Sequence, residues 1–155
     1  MNGVDAFTLG PSSRKGTLMR NHAHLQLDVS WLGDLRFLIK HQGGAGQEID
    51  AELRTGLSPM QTLLGSFCAS MSMNVLLLLQ AVRDQLSGFR VSVKGERNPE
   101  PPQFLRRIEL EFEVKGSVSK AEIDQAIRLS FQRYCSVFHT LRRDLEVDYL
   151  VTMAG

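Results

Sequence analysis

The chain is short of cysteine: it has two in 155 residues, Cys68 and Cys135, far apart and without metal-ligand spacing around either. So few thiols do not make a disulfide-built scaffold. Charge of one sign is also lacking, because 18 Lys and Arg face 17 Asp and Glu for a formal net charge of +1. Nothing global therefore draws the chain to nucleic acid or to an anionic membrane. Long hydrophobic runs are missing too: the longest strongly apolar tract, residues 75–79, is far too short to span a bilayer and follows Ser70, Ser72 and Asn74. Arg14, Lys15 and Arg20 precede no hydrophobic segment with a cleavage-like end, so no secretory signal is read and the cytoplasm is the expected location. What remains is ordinary globular composition, 43% hydrophobic and 23% charged. A chain of this size buries roughly 70% of its unfolded surface without help from disulfides or metal.

Residues 1–21 hold Gly3, Gly10, Pro11, Ser12, Ser13 and Gly16 with little periodicity and read as a flexible leader, leaving 22–155 as a single domain. From there Leu25, Leu27, Val29 and Trp31 alternate with His24, Gln26, Asp28 and Ser30, the pattern of a strand with one apolar face. Gly33-Asp34 can turn the chain into a second strand over 35–41, and a Gly-rich turn at 42–46 leads to a short third over 47–53. Ser58, Pro59 and Gln61 then supply a capping hydroxyl, a proline at the first helical position and a capping-box partner. The helix they start should run to about residue 86, with Gly88 stopping it. Its apolar residues nearly encircle it, which calls for burial on most faces and leans toward a partner subunit.

Phe89, Val91 and Val93 mark the next strand, and a Pro-rich loop over 96–103 separates it from the clearest amphipathic strand, 104–115. There Ile108, Leu110, Phe112 and Val114 face one side and Glu109, Glu111, Glu113 and Lys115 the other. Ser119 and Glu122 form a second capping box, for a helix reaching about residue 143, and a last strand follows over 145–152. The order is strands, buried helix, strands, helix, strand, which is an α+β arrangement.

Few residues announce chemistry. Cys68 and Cys135 are either a reactive pair or two small buried hydrophobes. Arg36 is either an activating charge or a solvated strand residue. His22 and His24 share a strand face but have no third ligand, so no metal site is read, and no cofactor. The Gly-rich turn lacks the Gly-Lys-Ser/Thr of a phosphate loop. Arg106-Arg107 and Arg142-Arg143 read as solvated charge pairs, and no acid stands ready to orient His139 beside Ser136.

Specific stretches carry a resemblance. Trp31-Leu32-Gly33-Asp34-Leu35-Arg36-Phe37, the Ser58-Pro59-Met60 helix start, Gly95-Glu96-Arg97 before the amphipathic strand, and Ala126-Ile127-Arg128-Leu129-Ser130 leading into Tyr134-Cys135-Ser136-Val137 fall in order and at fitting spacing. From about His22 onward the chain resembles the OsmC/Ohr family of hydroperoxide-handling proteins, and most of all its small OsmC-like branch. The resemblance implies an intertwined homodimer in which antiparallel sheets wrap a long central hydrophobic helix and a second helix. It also implies a thiol chemistry: one cysteine on the central helix attacks a small organic hydroperoxide, a second on the later helix resolves the sulfenic acid as a disulfide, and a dithiol reductant reopens it. An arginine, here Arg36, and a carboxylate help the thiolate form. Cys135 matches the second position.

The first position does not match. Counting from Pro59, the central-helix cysteine is expected at Ser70, with Cys68 two residues earlier, and two residues turn a helix by about 200°. Gln61 stands where a carboxylate follows the proline, and Asn74 where an aspartate is usual. A serine hydroxyl offers neither a low-pKa anion nor reversible sulfur oxidation. Two functions are thus expected from the resemblance. One is reduction of organic hydroperoxides through Cys68 and Cys135, weakened by Ser70, Gln61 and Asn74. The other is a non-catalytic homodimer that holds a small hydrophobic ligand at its interface, with Phe67, Met71, Phe131 and Phe138 as lining.

Overall fold

A computed structural model of the chain describes residues 24–41 and 43–154; the leader expected over 1–21 and His22 lie outside the described residues. Within them the chain divides near Leu63 into two compact units, and the long helix begins in the first and continues through the second.

The first unit is the expected three-stranded meander. Strands β1 (Asp28–Gly33), β2 (Arg36–Lys40) and β3 (Gln47–Asp50) pair antiparallel in chain order. The β1–β2 turn uses φ of 109° at Gly33 and 48° at Asp34, values a glycine and an aspartate accept more readily than most residues. Register puts Trp31 opposite Phe37, Phe37 opposite Ile49, and Val29 opposite Ile39, so these side chains share one face. In the single chain that face is largely open, with Val29 60%, Trp31 68% and Phe37 39% exposed.

After β3 the chain folds around one buried carboxylate. Asp50 accepts backbone N–H bonds from Glu52 (2.9 Å), Arg54 (2.9 Å) and Thr55 (3.1 Å), and a hydroxyl bond from Thr55 (3.3 Å). The Glu52 amide first, with Thr55 and Arg54 after it, holds the carboxyl below its ordinary value, against the opposing effect of burial. A folded pKa below the unfolded one contributes stability above pH about 4, and that stability is lost as pH falls through the lower folded value. Asp50→Asn should therefore be less stable than wild type at neutral pH, and the difference should shrink in acid. Denaturation followed at pH 7 and in the acid range checks this; a difference independent of pH would remove Asp50 as the cause.

Helix α1 (Pro59–Leu78) starts as the sequence dictates: the Gln61 amide donates to the Ser58 hydroxyl at 3.3 Å, and Gln61 Oε1 accepts the Ser58 amide at 3.0 Å. Its end differs from expectation. The helix stops at Leu78 rather than near residue 86, and a 3₁₀ turn, Gln80–Gln85, leads straight into β4 (Leu86–Arg97). The cause is tertiary: Leu86 pairs with Gly116, and the Ser117 amide bonds the Gln85 carbonyl at 3.0 Å. Gly88 is not a stop signal but a paired strand residue opposite Lys115. Gly116, at φ 133°, is where a side chain could not fit, since a Cβ would lie 2.0 Å from the Gln85 carbonyl oxygen. As a folded element α1 also exceeds what the tract at 75–79 suggested, being long and apolar enough to cross a bilayer by length and composition. Phe67, Cys68, Met71, Asn74 and Val75 are nonetheless buried within the chain, as in the core helix of a globular fold.

In the second unit β4 pairs antiparallel with β5 (Leu105–Gly116), whose Ile108, Leu110, Phe112 and Val114 are all buried. Strand β6 (Glu146–Ala154) pairs with β5 in parallel, which corrects the expectation of purely antiparallel sheets. The reason is the connection: α2 (Lys120–Leu129) and α3 (Ser136–Thr140) carry the chain back so that β6 starts at the same end as β5. The Ser119–Glu122 capping box is present at the start of α2. The single helix expected to residue 143 is instead broken, with a π turn over Ser130–Tyr134 and a non-helical Cys135 before α3.

Candidate functional site

Helix α1 and the broken segment after α2 build the site. Phe67 is fully buried and meets two rings from that segment, Phe131 at 6.5 Å and Phe138 at 6.1 Å between centroids, which themselves cross edge-on at 5.0 Å. One turn along α1, the Met71 sulfur accepts a hydrogen bond at 3.3 Å from the buried hydroxyl of Ser130. The π turn then carries the chain outward from Ser130, and the Cys135 amide closes it on the Ser130 carbonyl at 2.9 Å.

Cys135 arrives with its sulfur fully buried. Its thiol donates to the Ser70 hydroxyl at 3.3 Å, and its sulfur accepts the Phe138 amide at 3.4 Å. Ser70 is half-buried, so the hydroxyl is the more exposed member of the pair. Cys68 has a different partner. Its thiol points at the Val91 carbonyl on β4, 3.8 Å away, and burial pushes it above the ordinary thiol range, with a hydrogen bond involving Ser72 acting the other way. The 200° turn between positions 68 and 70 is therefore visible in the contacts, because Ser70 meets Cys135 and Cys68 meets the sheet.

The remaining expected residues divide between the units. Asn74 is 6% exposed on α1. Gln61 is occupied in the helix cap. Arg36 belongs to the first unit and pairs with Glu48 at 3.3 Å, both side chains about one-third exposed. Glu48 was not singled out by the sequence, since its closeness to Arg36 depends on the β2–β3 register. Ser130 was missed as well, although a serine directly after the apolar Ala126, Ile127 and Leu129 is the kind of signal that marks a buried, bonded hydroxyl.

Elsewhere the chemistry is thin. His139 is exposed and its ring lies against Phe138 at 5.6 Å. Among the described residues no group of three His, Cys, Asp or Glu side chains is arranged to hold a metal ion. A groove of about 300 Å³ on the second sheet is lined by Ser92, Lys94, Glu109, Glu111 and Leu150, among others, and one of about 420 Å³ by Glu96, Phe104, Arg106 and Glu146, among others. Neither touches Cys68, Ser70 or Cys135.

Residues 50–149 match the sequence model of the family described as OsmC-like protein. Protein YhfA of Escherichia coli strain K12 is 28% identical over 129 residues, which are 81% of this chain and 95% of that protein. Among solved structures, a hypothetical protein from Aquifex aeolicus VF5 superposes with a TM-score of 0.72 at 24% identity, over 84% of this chain and 97% of its own. An OsmC like protein from Mycoplasma pneumoniae gives 0.68 at 21% identity, over 84% and 99%. At such identities the two structures speak for the fold alone.

Proposed function

The chain belongs to the OsmC-like protein family, and from that membership we propose that it is a redox protein that reduces small organic hydroperoxides through one thiol, Cys135. The observation that carries this reading is the 3.3 Å contact between the Cys135 thiol and the Ser70 hydroxyl. It joins the two positions at which the family resemblance expects the paired thiols, and only one of them is sulfur. In the proposed step the Cys135 sulfur attacks the outer oxygen of the hydroperoxide. An S–O bond forms, the O–O bond breaks, and the thiol proton goes to the departing alkoxide, leaving a sulfenic acid and an alcohol. Cys68, bonded to a strand carbonyl and pushed toward the unreactive thiol form, serves packing in this reading.

The test is hydroperoxide consumption with an organic hydroperoxide and a dithiol. Cys135→Ala should abolish turnover, and Cys68→Ala should retain most of it. An inactive wild type would end this reading and favour the second one, a non-catalytic protein that holds a small hydrophobic ligand. The observation on that side is the complete burial of the Cys135 sulfur.

We further propose that the working form is a homodimer. Support comes from the open apolar face of the first sheet and from Leu63, Met73 and Leu77, which lie 38%, 59% and 46% exposed along α1. Exposed apolar surface of this extent marks an interaction site. Placing a carboxylate there with Trp31→Glu should shift the mass measured by light scattering from two chains to one. A wild type that runs as a single chain would contradict the dimer.

A further inference from the structure

Resting on that reading of Cys135, we propose that the sulfenic acid formed there is resolved by an external small monothiol, through a mixed disulfide on Cys135, and not by a second cysteine of this chain. The chain offers only one other sulfur able to form a disulfide, that of Cys68. That thiol is buried, engaged with the Val91 carbonyl on β4, and turned from the Ser70 position by about 200° around α1. The side chain that the Cys135 thiol does meet is the Ser70 hydroxyl, which can form no bond to a sulfenic acid that a reductant reopens.

The chemistry closes with two thiols. The first attacks the sulfenic sulfur: an S–S bond forms, the S–O bond breaks, and hydroxide leaves with the thiol proton as water. A second attacks the outer sulfur of the mixed disulfide, restores the Cys135 thiol and leaves as the oxidised small disulfide. The hydroxyl that lies on the sulfur is that of Ser70, and it can turn away by rotation about a single χ1 bond.

A peptide map under non-reducing conditions tests this on the full chain. The protein is treated with cumene hydroperoxide and then with a single equivalent of 2-mercaptoethanol as the monothiol probe, so that no second thiol removes the first. The expected product carries one mercaptoethanol on Cys135, leaves Cys68 as a free thiol, and forms equally in Cys68→Ser. A peptide linking Cys68 to Cys135, or Cys135 to Cys135 of a second chain, would overturn the inference and leave the hydroperoxide reading standing. So would a sulfenic acid, trapped by dimedone, that forms but takes up no thiol. A Cys135 that cumene hydroperoxide leaves unoxidised would overturn the hydroperoxide reading itself, and the inference with it.

Discussion

Ser70→Cys is expected to close a disulfide with Cys135 under mild oxidation, because the group it replaces already lies 3.3 Å from that sulfur. Free thiols should then fall from three to one, the survivor being Cys68, since the wild type has two cysteines and the substitution adds one. Bridging positions 65 residues apart restricts the unfolded chain, and the loop-entropy relation gives about 4 kcal/mol of added stability. That gain should show as a higher urea midpoint that dithiothreitol abolishes. The same variant should consume organic hydroperoxide faster than wild type when a dithiol is present, because an internal second thiol replaces a collision with an external one. Failure to lose two thiols would mean that the backbones at positions 70 and 135 cannot reach disulfide geometry. Bond formation without faster turnover would instead separate the geometry of the pair from the chemistry proposed for it.

The family resemblance, counted from Pro59, put Ser70 and not Cys68 at the reactive position, and helical rotation turned Cys68 to another face; that the Ser70 hydroxyl meets the Cys135 sulfur was not legible. The capping boxes at Ser58 and Ser119 were equally plain, because each needs residues only three apart. The alternation of Ile108, Leu110, Phe112 and Val114 named the buried face of β5 for the same local reason. What local pattern could not give depended on distant partners. The stretch after Leu78 has helical character, but pairing with Gly116 draws Leu86 into a strand. The π turn before Cys135 has no periodic signature in Ser130 to Tyr134; it is visible only as the amide of Cys135 reaching back to Ser130. Parallel pairing of β6 and the Arg36–Glu48 ion pair depend on sheet order and register, which no single segment encodes.

Phe67→Ala should be the most damaging single truncation near the site. The ring is fully buried and packs on Phe131 and Phe138, so its loss removes a large apolar side chain and leaves a cavity that the rigid α1 backbone cannot fill. Substitutions of this kind cost about 3–5 kcal/mol, against a total stability of roughly 5–15 kcal/mol for a domain. Urea unfolding at neutral pH reads the loss directly. The consequence for the site is more specific than instability. Phe131 stands in the π turn before Cys135 and Phe138 in α3 after it, so Phe67 anchors both sides of the break. If that anchoring holds the sulfur under Ser70, Phe67→Ala should raise the rate at which Cys135 is alkylated under conditions where the protein is still folded, and Cys68, held from β4, should change less. A double-mutant cycle of Phe67→Ala with Phe131→Ala should show a coupling of about 0.5–1.5 kcal/mol, the range for aromatic pairs in contact. Additive effects within about 0.3 kcal/mol would mean that the rings stabilise the fold independently, and the geometry at Cys135 would then have to come from the Ser130–Met71 bond and the π turn alone.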